Sequence, residues 1–95
     1  MLILHVTYKA KSGMANQFVE AVIRSGMDKT IRAEAGNLCY DYFFSVKNKD
    51  EVLLVEKWVN HEALAAHSEA PHMAVLRQIK GNYIEETIIE KYSVL

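Results

Sequence analysis

The chain has little of what builds stapled or thiolate-held folds: one cysteine, Cys39, and one proline, Pro71, in 95 residues. A lone thiol closes no internal disulfide and supplies no multi-thiolate metal site, so a reducing, cytoplasmic location is expected. An excess of one charge sign is missing too. The formal net charge is -1, from 11 Lys and Arg against 12 Asp and Glu. These charges are scattered, which leaves no basic stripe for a phosphate backbone and no acidic tail. No nucleic-acid partner is expected. No apolar run approaches the roughly 18 residues that a membrane span needs. The apolar start Met1-Leu2-Ile3-Leu4-His5 is short and has no basic leader, so neither a membrane partner nor a signal peptide is expected. The sequence also lacks a glycine-rich phosphate loop, a dinucleotide fingerprint and a nucleophile elbow.

What is present fits one folded domain spanning residues 1–95: 51% of the residues are hydrophobic and 24% are charged. A domain this short buries only about 60–65% of the surface that its unfolded chain exposes. Association with a second copy would add apolar burial, so a homodimer is the default expectation.

Residues 2 to 8 alternate, with Leu2, Leu4, Val6 and Tyr8 on one face and Ile3, His5 and Thr7 on the other, which is the period of a strand. Ser12 reads as the N-cap of a helix that starts near Met14. Met14, Phe18, Ala21, Val22 and Ser25 then form its apolar side. Glu20, Arg24, Asp28 and Arg32 recur every fourth residue and read as a solvated face. The stripe falters after Gly26, where Lys29 enters it, so a bend or break is expected there. Gly36 reads as a C-cap, followed by an aromatic and β-branched second strand from Leu38 to Val46. A polar turn, Lys47 to Glu51, leads to a third strand from Val52 to Trp58, its hairpin partner. Asn60 reads as the N-cap of a second helix, which Pro71 interrupts and Gly81 closes. Tyr83 to Tyr92 forms the last strand.

The order strand, helix, strand, strand, helix, strand is the split βαβ pattern. It predicts an α+β fold with ferredoxin-like βαββαβ topology, in which helices cover one face of a four-stranded antiparallel sheet. The other face, carrying Ile3, Thr7, Leu53 and Val55, is then too apolar for water, which again calls for a partner subunit.

One residue breaks the pattern of the third strand. Glu56 shares side-chain parity with Val52, Leu54 and Trp58, so burying that face buries a carboxylate. His67 lies on the helix face that meets it, so an acid, an indole and an imidazole share one apolar cavity. Two readings stand side by side: a proton-transfer group, since a carboxylate in a dry pocket has a raised pKa and an imidazole relays protons near neutral pH, or a satisfied buried pair that orients the helix. Tyr40 and Tyr42 offer hydroxyls to the cavity or only pack, and Trp58 is core or platform. His72 follows Pro71 and turns to the pocket or to solvent. His5 is placed toward a dimer partner and His61 in solvent. No metal is expected: His61-Glu62-Ala63-Leu64-Ala65 begins like a zincin helix, but Ala65 stands where the second histidine belongs.

The segments Arg32-Ala33-Glu34-Ala35-Gly36-Asn37-Leu38-Cys39-Tyr40-Asp41, Val55-Glu56-Lys57-Trp58, Glu62-Ala63-Leu64-Ala65-Ala66-His67 and Pro71-His72-Met73, in this order and spacing, resemble the antibiotic biosynthesis monooxygenase domain family, in its quinol monooxygenase branch. The resemblance covers nearly the whole chain. It implies a dimeric α+β barrel with a pocket between sheet and helices in each subunit, Glu56, His67 and His72 as catalytic candidates, and Trp58, Tyr40, Tyr42 and Asn37 as substrate contacts. It further implies a monooxygenase without cofactor, acting with dioxygen on a quinol, an anthrone or a similar enolisable aromatic small molecule. Two positions depart from relatives. Leu54 stands where anthrone-oxidising members carry asparagine, and Arg77 stands in the half-helix where haem-degrading members carry an axial histidine. The alternatives are an isomerase that enolises a small phosphorylated carbonyl compound, with Lys29, Arg32 or Lys80 as its phosphate anchor, and a ligand-binding dimer without turnover.

Overall fold

The structure, a computed structural model, describes residues 1–94. Its elements run β1 (Leu2–Ala10), α1 (Ala15–Ser25), α2 (Met27–Arg32), β2 (Asn37–Phe44), β3 (Glu51–Trp58), α3 (His61–Glu69), α4 (Met73–Tyr83) and β4 (Ile84–Ser93). The strands form one antiparallel sheet in the order β2-β3-β1-β4. This is the α+β, ferredoxin-like architecture that the pattern predicts, with each of its two helical segments split in two.

Strand alternation decides which side chains enter the core. Leu2, Leu4, Val6 and Tyr8 of β1, and Val52, Leu54, Glu56 and Trp58 of β3, are all buried on one face. The register pairs Leu4 with Glu56 and Val6 with Leu54, so the two strands present a common apolar wall. Phe18 and Val22 of α1, Ile31 of α2 and Leu76 of α4 close over it. The intervening residues of β1 and β3 stay half-exposed on the far side.

The helix boundaries follow local chemistry, and four expectations change. Gly26, at φ 78°, ends α1 in the left-handed conformation and opens α2, so of the expected bend or break it is a break. Ser12 does not cap α1. Met14 holds the cap position without a side-chain bond, and the Gly13 N–H donates instead to Asp50 Oδ1 at 2.9 Å. Asp28 leaves the solvated row. It is only 6% exposed and accepts from Arg32 Nη1 at 3.1 Å, because the break at Gly26 turns α2 and its first residues inward. Gly36 lies beyond the helix end, in the turn that leads to β2, and Gly81 lies inside α4, which runs on to Tyr83 before the chain turns into β4.

Asn60 caps α3 as expected, its Oδ1 accepting from the Ala63 N–H at 2.9 Å. Ala70, next to Pro71, is extended at ψ 135°, which separates α3 from α4. Among the described residues no helix is long and apolar enough to cross a membrane.

Candidate active site

The site is built around Glu56. Strand parity turns this carboxyl toward the helices, where it is 6% exposed and accepts from Trp58 Nε1 at 3.0 Å. The indole two residues on lies on the same face, so a single strand supplies both acceptor and donor. Burial pushes the Glu56 carboxyl above the usual range, and the Trp58 hydrogen bond and the His67 ring partly offset that rise.

Helix α3 delivers His67 over this pair. Its ring lies 4.6 Å from the Trp58 ring, tilted by 34°, and its Nε2 is 3.8 Å from Glu56 Oε1, too long for a direct hydrogen bond. The other nitrogen is engaged. Nδ1 lies 2.8 Å from Glu34 Oε1, and a carboxylate can only accept, so Nδ1 donates, while Nε2 makes no hydrogen bond. The other oxygen of Glu34 lies 3.6 Å from His72 Nε2, a buried nitrogen that makes no hydrogen bond.

Of these groups, Glu56 and His67 meet a cavity of about 260 Å³, which Glu34, Trp58 and His72 do not line. Leu4, Val6, Leu64 and Leu76 form its apolar walls. Glu56, His67, Tyr8 and Tyr40 bring polar groups from the sheet side and α3. Arg77 and Lys80 line it from α4, and Thr87 and Ile89 from β4. Burial pulls the Lys80 ammonium below its usual range, with Arg77 acting in the same direction and Glu56 opposing. The Tyr8 and Tyr40 phenols are held far above theirs by burial and stay protonated.

The residues singled out by sequence divide accordingly. Glu56, His67 and Tyr40 line the cavity. Trp58 is fully buried behind it and reaches it only through Glu56 and His67. Tyr42 lines a neighbouring hollow with Asp28 and Arg32, its hydroxyl 3.4 Å from that of Tyr40, and burial pushes its phenol up to about 12. His72 stands behind Glu34. Asn37 lies at the start of β2, where its amide donates to the Cys39 carbonyl at 3.1 Å. Glu34 had no assigned role in the sequence, although it sits in the segment that carries the family resemblance. Its signal is modest: a carboxylate between two alanines, just before the turn into β2. Among the described residues no three His, Cys, Asp or Glu side chains are grouped to hold a metal ion.

Residues 1–78 match the antibiotic biosynthesis monooxygenase family. The chain belongs to that family. A Bacillus subtilis (strain 168) protein named "Putative monooxygenase YcnE" is 29% identical over 72 residues, which is 76% of this chain and 74% of that protein. Among solved structures, a "Putative antibiotic biosynthesis monooxygenase from Nitrosomonas europaea" superposes with a TM-score of 0.86 over 100% of this chain and 99% of its own, at 23% identity. PA3566 from Pseudomonas aeruginosa superposes with a TM-score of 0.83 over 99% and 93%, at 26% identity. The first of these structures speaks for the fold alone. The family and the Bacillus relative support a monooxygenase-like function in general terms.

The raised pKa of Glu56 sets a pH dependence in this family fold. The folded state holds this proton more tightly than the unfolded chain does. Its stabilising contribution is therefore complete below the ordinary carboxyl range and is lost as pH rises through the higher folded value. Glu56→Gln keeps a neutral acceptor for Trp58, so the variant should gain stability over the native protein as pH is raised from 4.5 to 8. Urea unfolding of both proteins across that range measures the difference, and a flat difference would show the carboxyl to be solvated.

Proposed function

We propose that this chain is a small monooxygenase that works without a cofactor on a quinol, an anthrone or a similar enolisable aromatic compound, in the cytoplasm and as a homodimer. The observation that carries the reading is His67 at the wall of a cavity with apolar sides, held from behind by Glu34 at 2.8 Å and with its Nε2 unengaged. In this reading Nε2 removes the acidic proton of the substrate, and Glu34 fixes the tautomer and balances the imidazolium. Leu54 is fully buried and apolar, so no side-chain amide from that position shares the task. The resulting anion passes one electron to dioxygen. The radical and superoxide then join in a C–O–O bond, and loss of water leaves a carbonyl, so that CH2 and O2 become C=O and H2O. Glu56, with its raised pKa, is suited to return the proton.

Oxygen uptake with a panel of reduced naphthoquinones and anthrones tests this reading. Uptake with one carbonyl formed per O2 supports it. Solvent deuterium entering a substrate carbon without oxygen uptake would replace it with an isomerase, and tight binding without turnover would make the chain a binder.

The homodimer rests on the open face of the sheet. The register puts Phe43, Leu53, Thr7 and Ile88 in one row across all four strands, and Phe43 and Ile88 are exposed. In the next rows Val55 pairs with His5, and Ile3 with Tyr92. The apolar row at the centre of this face, flanked in the next rows by Asp41, Glu90 and Lys57, calls for a cover. Leu53→Asp places an unpaired charge at its centre and should weaken the dimer roughly a hundredfold or more. Sedimentation equilibrium reads the change, and an unaltered dimer would put the interface elsewhere.

A further inference from the structure

Helix α4 carries two cations, Arg77 and Lys80, into the same cavity that Glu56 and His67 enter from the sheet and α3. Among the described residues neither makes an ion pair with a carboxylate. They are three residues apart, on neighbouring turns of one helix face, so they point the same way. Arg77 is exposed at the cavity rim, whereas Lys80 is half-buried and its Nζ lies 5.5 Å from the centre of the Tyr8 ring. A flexible ammonium with nothing to pair with is ordinarily found in water. Here it is drawn over an aromatic ring at the cavity wall, where solvation is poor.

We propose that Arg77 and Lys80 form an anion clamp, and that the substrate carries a permanent anionic oxygen group, a carboxylate or a phosphate, on a body otherwise apolar. This deepens the reading of the site as an acid–base centre and rests on the same cavity. The clamp holds the anionic end against α4, and the apolar walls seat the body. The acidic position of the substrate then meets His67 and Glu56 on the opposite wall. Burial lowers the affinity of Lys80 for its proton, and a bound anion reverses that effect, so charge pairing is strengthened by the poor solvation of the cavity.

Binding without turnover tests the clamp. Calorimetry of the intact protein compares 1-hydroxy-2-naphthoate, which has the anion, with 1-naphthol, which lacks it, and adds inorganic phosphate as a competitor. The naphthoate should bind at least tenfold tighter, with the preference weakening as salt rises. Lys80→Met and Arg77→Met should each reduce that preference, their double variant should abolish it, and Lys80→Arg, which keeps the charge, should retain it. Phosphate that displaces the naphthoate from the native protein but not from the double variant also supports the clamp and points to a phosphorylated ligand. Equal binding of the two naphthalenes, a preference that survives in the double variant, or no binding of either anion would overturn it. The clamp and the oxygenase reading fail separately: charge-dependent binding with no oxygen uptake across the panel leaves the clamp and removes the oxygenase.

Discussion

His67→Ala is expected to lower turnover by about 10²- to 10⁴-fold, the range over which a positioned general base acts. Of the two imidazoles beside Glu34, His67 is the one that lines the cavity, and its Nε2 makes no hydrogen bond while Glu34 occupies Nδ1 at 2.8 Å. Truncation also removes a buried ring stacked beside Trp58, so part of any loss will come from weaker packing. Glu34→Gln separates the two effects. It keeps the size and the hydrogen-bonding capacity of the side chain, but an amide can donate to Nδ1 and so favour the tautomer with its hydrogen on Nε2, the wrong one for a base. Turnover should fall by about 10²-fold or more, with the melting temperature nearly unchanged and the pH–rate profile altered. A Glu34→Gln variant with native turnover would reduce the Glu34–His67 pair to a structural contact, and a fully active His67→Ala would remove the imidazole from the mechanism.

The reason Glu56 and Trp58 were legible in the sequence, and Glu34 was not, lies in how each is placed. A strand has a period of two, so the parity of Val52, Leu54, Glu56 and Trp58 fixes their common face without any tertiary information. Helix α3 is short, but its cap at Asn60 and its phase carry His67 to the same side. Glu34 follows the end of α2 in a connection with no period, and its direction is set by where the turn at Gly36 meets α3. Asp28 and Arg77 were obscured differently, and Lys80 was legible only as one of three candidate phosphate anchors. Spacing groups charged residues into a row but does not tell which member an adjacent helix break will bury. The break at Gly26 buries Asp28, and the open side of the cavity exposes Arg77 and Lys80 to a ligand instead of to bulk solvent alone. Gly81 was read as a helix end because glycine commonly is one, yet nothing crowds its Cα and its φ is not positive, so α4 continues through it.

Gly36→Ala should be the most damaging small substitution outside the cavity. Gly36 sits at φ 82°, where a β-carbon costs about 1–2 kcal/mol. That carbon would also lie 2.6 Å from Ala63 Cβ and 2.8 Å from Val59 Cγ1, and neither side chain is long enough to swing away. Overpacking of this kind adds about 1–3 kcal/mol, for a total of about 2–5 kcal/mol. For a domain of this size that is a fall in melting temperature of roughly 10–30 °C. The consequence for the site is larger than a loss of stability. The Val59 N–H donates to the Gly36 carbonyl at 2.8 Å, tying the start of β2 to the end of β3, and Ala63 lies one helical turn before His67 on α3. Relief of the clash must move α3 away from the turn, which draws His67 from Glu34. Turnover should therefore fall below native even at temperatures where the variant remains folded. If Gly36→Ala melts within a few degrees of the native protein, the close approach of this turn to α3 does not exist, and the Glu34–His67 contact that depends on it is in question as well.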